Sequence, residues 1–207
     1  MKALLINGSP HKEGCTFTAL TEIANELNRL EIETELFHIG SKPLSGCTAC
    51  GYCRETQSLR CVYRDTVNEA IAKMEQADAM IVGSPVHYAS ASGSVVSFLD
   101  RMFYASGGFA LKPGAAIVTC RRGGATAAFD QLNKYFLISG MPLAASQYWN
   151  MVHGNTPEEI RQDLEGLQTM RALARNLSWL LRCIEAGRRS GVPLPEVELR
   201  QRTNFIR

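Results

Sequence analysis

Four of the chain's seven cysteines, Cys47, Cys50, Cys53 and Cys61, fall inside the stretch SGCTACGYCRETQSLRCVYRD, spaced C-x2-C-x2-C-x7-C. Thiolates are soft donors that hold iron–sulfur clusters or zinc, and they also exchange electrons as redox thiols. Two-residue gaps let a tight loop aim three thiolates at one face of a cubane, and a fourth further on closes the site. Zinc sites more often pair two well-separated C-x2-C knuckles. Disulfides rank last, because a 207-residue chain buries a core without covalent staples. The spacing alone leaves open a cluster, a zinc ion, a redox thiol role, or no metal. Cys15, Cys120 and Cys183 are scattered and read as buried small apolar residues.

Three other stretches carry polar groups that suit a ligand. INGSPHKEGCT offers the hydroxyls of Ser9, Thr16 and Thr18 beside a helix start, where free N–H groups and the helix dipole favour an anion. It is not a phosphate loop of the G-x-x-x-x-G-K type, since Gly14 comes one residue late and Cys15 stands where lysine should. An ordinary turn with Thr16 as helix cap is the competing reading. GSPVHYASASGSVVSFLDR follows the third apolar run, and CRRGGATAAFDQLN the fourth. In the latter, Gly123 and Gly124 let backbone approach a flat ligand, and Arg121 or Arg122 can meet negative charge.

Alternating strand and helix signals position these stretches. Apolar runs at 3–6, 33–39, 79–82, 115–119 and 143–149 read as strands. Helical spacing recurs over 17–30, 67–74, 95–102 and 127–138, and one long helix is expected from Thr156-Pro157-Glu158-Glu159 to Ile184. The expected fold is α/β: a flavodoxin-like three-layer sandwich around a five-stranded parallel sheet of order 2-1-3-4-5. In that order FMN sits at the switch between strands one and three, outside the carboxyl ends of the strands. The cysteine loop follows strand two, so the thiols are expected on that same rim. Residues 1–186 form the domain, with the cysteine loop at 45–65, and 187–207 read as a C-terminal arm.

The formal net charge of +2 lacks a basic stripe, which argues against nucleic acid. No apolar stretch reaches membrane-spanning length, and the N-terminus lacks a signal pattern, so the cytoplasm is the expected compartment.

The run LLINGSPHKEGCTFTAL resembles the opening of the NADPH-dependent FMN reductase group, where N-G-S-P-R-x-x-G-N-T holds the FMN phosphate. The resemblance gives Ser9, His11, Cys15, Thr16, Phe17 and Thr18 to the phosphate end, with His11 in place of arginine and Cys15 in place of asparagine. The second stretch is similar to S-P-x-Y-x-x-S-x-S-x-x-x-K-x-x-x-D-R, which implies Pro85, Val86, His87 and Tyr88 along the isoalloxazine ring. Arg121, Gly123 and Gly124 complete the flavin contacts, and Trp149 and Asn150 are expected near the rim. A subset of the group, the iron–sulfur flavoproteins, carries a [4Fe–4S] cluster at this cysteine position, and Cys47, Cys50, Cys53 and Cys61 match its ligands.

The implied function is an FMN oxidoreductase or electron-transfer flavoprotein with NAD(P)H or a ferredoxin-type protein as donor, acting as a homodimer or homotetramer. No side-chain acid or base is required, because the cofactor carries the chemistry. Two rivals stand beside it. One is a cluster-free NAD(P)H-dependent FMN, quinone or nitro-compound reductase. The other is a zinc-clipped, non-enzymatic binding module.

Overall fold

The structure, a computed structural model, describes residues 1–199, 201, 203 and 205. β1 (Lys2–Asn7), β2 (Glu33–His38), β3 (Ala79–His87), β5 (Gly114–Cys120) and β6 (Met151–His153) form a parallel sheet in the order β2-β1-β3-β5-β6. That is the expected 2-1-3-4-5 arrangement. The added β4 (Ser90–Ala91) pairs antiparallel with the end of β3.

Helices cover both faces of the sheet. α1 (Cys15–Arg29) and α7 (Leu164–Arg189) share one core with Leu5, Ile81 and Ile117. α3 (Thr66–Gln76), α4 (Gly93–Ser106) and α5 (Ala125–Ile138) share the other with Leu4, Val82 and Val118. The alternation along each strand follows from successive side chains pointing to opposite faces. Central strands buried on both faces therefore read as unbroken apolar runs.

Two expectations change. The last strand lies at 151–153, not 143–149. Leu143 touches β5 only through a bridge to Gly114. Beyond it Ser146 turns the chain, its Oγ donating to Tyr148 O at 2.6 Å. Pro142 lacks an N–H for a ladder. The long final helix is also two helices, α6 (Pro157–Gln162) and α7, divided at Asp163. The Asp163 carboxylate accepts from Gly166 N–H as a new N-cap and from His153 N–H at the end of β6. Both bonds hold Asp163 at a non-helical ψ of 78°. α7 runs to Arg189, taking in the first three residues of the expected arm, and 191–199 are exposed. Of that arm, 200, 202, 204, 206 and 207 lie outside the described residues.

α1 and α7 are joined by charge. The buried Glu26 carboxylate accepts from Arg29 within α1 and from Arg175 Nε of α7 at 2.5 Å. On the other face, Lys112 Nζ donates to the carbonyls of Met74, Glu75 and Ala77, closing the carboxyl end of α3.

Candidate functional site

Three loops meet at the carboxyl ends of β1, β3 and β5. The first is organised by Asn7, which the sequence marks only as a turn former. Its side chain is 1% exposed. The Oδ1 accepts from Ser9 N–H at 3.1 Å, and the Nδ2 donates to Lys12 O at 3.0 Å. His38, at the end of β2, places Nε2 2.8 Å from Ser9 O. Gly8 is packed so closely that a Cβ would come within 2.5 Å of Val95 and 2.8 Å of Gly83 O.

α1 starts at Gly14 with no side-chain cap, so Thr16 is not its N-cap and the first-turn N–H groups stay available. The hydroxyls divide. Ser9 Oγ accepts from His11 N–H at 3.1 Å and keeps its own proton to donate. Thr16 Oγ1 points inward to Thr119 Oγ1 at 2.9 Å, and Thr18 Oγ1 donates to Gly14 O at 3.1 Å. Both threonine hydroxyls are thus engaged within the protein, and the Thr18 N–H also donates to Gly14 O at 3.0 Å. His11 is exposed, and Phe17 is half-buried. Cys15 is half-buried with its thiol toward Gly154 O, and burial pushes that thiol up.

The second loop is a hairpin tip. Pro85, Val86 and His87 finish β3, and Tyr88 and Ala89 form the two-residue turn into β4. Both turn residues are left-handed, with φ of 50° and 58°. A type I′ connection requires this, and it normally recruits asparagine and glycine. A bulky tyrosine there is strained. Its side chain stands fully clear of the protein. Gln131 of α5 holds the hairpin by accepting from Ser90 Oγ and Ala91 N–H.

Two serines stitch the loops together. Ser92 N–H donates to Ser84 Oγ, and Ser92 Oγ donates to Gly8 O, each at 3.0 Å. In the third loop, Gly124 has φ 85°, and a Cβ there would fall 2.7 Å from Ala89 Cα. A Cβ on Gly123 would meet nothing within 4 Å. Arg121 and Arg122 are exposed and, among the described residues, make no ion pair. Ser9, Val86, Tyr88, Arg121 and Gly123 thus all lie at or just beyond the carboxyl ends of the neighbouring strands β1, β3 and β5.

Trp149 and Asn150 are not at that rim. They precede β6, so they lie opposite the middle of β5, where Asn150 Nδ2 donates to Ala116 O at 3.0 Å. His153 and Gly154 take the rim position, with Gly154 N–H donating to Cys120 O.

The cysteine loop departs from β2 at the rim but folds back along α4. Its four thiols line one cavity together with Arg101, Tyr104 and Ala105 from the second half of that helix. Eight residues separate Gly93 from Arg101, roughly 12 Å down the helix at 1.5 Å per residue. The expected placement directly on the flavin rim is therefore replaced by one on the flank, because α4 supplies the packing wall. The loop turns through left-handed Ala49, Gly51, Gln57 and Leu59, with only the short α2 (Tyr52–Glu55) regular.

Cys47 and Cys50 are exposed, and Cys53 and Cys61 are half-buried. Cys120 is buried as expected, while Cys183 is exposed. All seven cysteines are free thiols. The cysteine-lined cavity measures about 20 Å³, room for about one water. Beside it an open groove of about 1070 Å³ shares Cys47 and Cys53.

By its chemistry the donor set, four free cysteines lining one cavity beside a buried cation, suits a soft metal or an iron–sulfur centre. Among the described residues, no three His, Cys, Asp or Glu side chains are drawn together closely enough to hold a metal ion as they stand. For FMN, the fit rests on the uncapped helix start, the Ser9 hydroxyl and the open space over Gly123.

A family model described as NADPH-dependent FMN reductase matches residues 1–156. An iron-sulfur flavoprotein of Methanocaldococcus jannaschii is 31% identical over 194 residues, covering 89% of this chain and 100% of that protein. An iron-sulfur flavoprotein of Methanosarcina thermophila is 30% identical over 197 residues, covering 91% and 99%. Among solved structures, RosB with a bound 8-demethyl-8-formylriboflavin-5'-phosphate intermediate superposes with a TM-score of 0.71 at 14% identity, covering 100% of this chain and 94% of that one. At that identity the likeness concerns the fold. No described helix is long and apolar enough to cross a membrane.

Proposed function

The chain belongs to the NADPH-dependent FMN reductase family of flavodoxin-like FMN oxidoreductases, and on that premise we propose that it is a redox enzyme that pairs FMN with a [4Fe–4S] cluster on Cys47, Cys50, Cys53 and Cys61. FMN held there would supply two-electron and one-electron redox chemistry toward NAD(P)H or a ferredoxin-type donor, and a cluster on the four cysteines would supply one-electron transfer.

The chain's own residues bind, orient and neutralise. The first turn of α1 and the Ser9 hydroxyl offer donors to the phosphate. His11 adds a polar edge to that end, and the backbone at Cys15, Thr16, Phe17 and Thr18 frames it. Pro85, Val86, His87 and Tyr88 give the ring one wall, and Gly123 and Gly124 the other. Arg121 or Arg122, both exposed, would stabilise negative charge on the reduced ring or receive a dinucleotide phosphate. The chain works in the cytoplasm as a homodimer or homotetramer, which size-exclusion chromatography with light scattering tests.

One observation carries the cluster reading: four free thiols, in this family, line a single cavity. The second reading is a cluster-free NAD(P)H-dependent FMN or quinone reductase. It draws on the cavity's small size as it stands. Purification without oxygen, followed by a visible spectrum and iron, sulfide and flavin assays on one sample, separates them. About four irons and four sulfides per chain with flavin bands support the two-cofactor reading. Flavin without iron or sulfide, after reconstitution as well, leaves the simpler reductase. Steady-state oxidation of NADH and NADPH by the same sample tests the donor.

A further inference from the structure

Arg101 is the largest fully buried side chain, 1% exposed, and it comes from the middle of α4. Burying a guanidinium is costly unless its donors are matched. NH1 and NH2 form a bidentate pair with the Asp65 carboxylate at 2.7 and 2.9 Å, and NH1 also donates to Ser45 O at 3.4 Å. The remaining donor, Nε–H, points at Cys61 Sγ at 3.3 Å. Tying α4 to the start of α3 needs only the bidentate pair. The sulfur contact is additional.

Cys61 is also the cysteine whose backbone is clamped from α3. Its N–H donates to Asn68 Oδ1, and its carbonyl accepts from Asn68 Nδ2, both at 2.8 Å. Among the described residues no N–H donates to the sulfurs of Cys47, Cys50 or Cys53. The four thiols are therefore unequal, with one fixed from two helices and bonded to a cation.

We propose that Arg101 is a positioning residue for the cysteine site, holding Cys61 as the anchored ligand and raising the reduction potential of the cluster through its N–H···S bond. The inference rests on the cluster reading above. A cluster gains negative charge on reduction. A hydrogen bond to a ligand sulfur and a cation behind it favour that reduced form, so the potential rises. Asp65 offsets part of the charge. Removing the arginine and removing its counterion should then move the potential in opposite directions, a pattern that simple loosening of the loop does not produce.

The test is reconstitution with iron and sulfide, without oxygen, of the full chain and of Arg101→Gln, Arg101→Lys and Asp65→Asn. The readouts are iron and sulfide per chain and a midpoint potential followed by electron paramagnetic resonance. Arg101→Gln should lower the reduction equilibrium about tenfold, about 59 mV for one electron, and Asp65→Asn should raise the potential. Arg101→Lys should fall between Gln and the natural chain. Asparagine still caps α3, so Asp65→Asn carries the test alone if the arginine variants fail to fold. A loaded natural chain whose variants keep its potential overturns the inference and leaves the cluster reading standing. A natural chain that takes up neither iron nor sulfide overturns both.

Discussion

Two loops leave adjacent strands of the same sheet and are built in opposite ways. The loop after β1 is short and stitched shut: Asn7, Ser9 and His38 bond across it, and Gly8 packs against Gly83 with no room for a side chain. The loop after β2 is long and turns through left-handed Ala49, Gln57 and Leu59. Its Cys47 and Cys50 lie in the open, while Arg101 and Asn68 grip Cys61 at the other end. The first is a receptor whose shape the protein itself supplies. The second has its walls in place, and among the described residues only Cys61 of its four cysteines is held by side chains from the neighbouring helices.

This contrast can be broken most forcefully at Gly8. Gly8→Ala forces a methyl against Val95 and a backbone carbonyl, so it should cost about 2–3 kcal/mol of stability. A urea midpoint equal to that of the natural chain would show the first loop to be softer than described.

A smaller effect is expected at Asn7. Asn7→Ala leaves a buried N–H and carbonyl unpaired, costing about 1–2 kcal/mol. It should weaken FMN about tenfold, as read by fluorescence titration of the flavin-free protein.

The α1–α7 pair gives a control remote from both loops. Hydrogen bonds from Arg29, then Arg175, hold the Glu26 carboxyl at about 2, below its ordinary 4.5. A depressed carboxyl stabilises the fold fully above pH 4.5, and that contribution is lost as pH falls toward 2. Glu26→Gln should therefore cost on the order of 1 kcal/mol at pH 7, the partners being exposed. The gap to the natural chain should close across that acid window in pH-dependent denaturant melts.

The smallest effect sharpens the comparison. Replacing Cys47, Cys50, Cys53 and Cys61 together by serine should change the stability of iron-free protein by less than about 1 kcal/mol, since only Cys53 and Cys61 touch the core. FMN affinity should be untouched, and iron uptake lost. A collapse in melting temperature would mean that the thiols act as core.

Much of this was legible in residue types. Apolar runs and their spacing marked the parallel sheet, and the C-x2-C-x2-C run marked a donor set. What escaped has physical reasons. Asn7 reads as a turn former, and only the folded loop shows it bonding forward to Lys12. Arg101 stands 40 residues from Cys61, and no local pattern links a helix arginine to a distant thiol. The descent of the cysteine loop along α4 depends on which helix offers a wall, a tertiary choice that strand order does not encode. The split at Asp163 was hidden because a capping aspartate inside a helical pattern looks like a surface residue.

The two faces of the sheet also differ in when they can close. The core shared by α3, α4 and α5 is complete by Met141, whereas the opposite core draws on residues as late as Leu181. During synthesis, the cysteine-bearing side can pack while α1 still waits for its partner helix. At about 5–20 residues per second that wait lasts a few seconds, with the apolar stripe of α1 uncovered. The nascent chain is then most exposed to aggregation on the side away from its clustered cysteines, and a ribosomal pause before α7 would lengthen that exposure without delaying the cysteine loop.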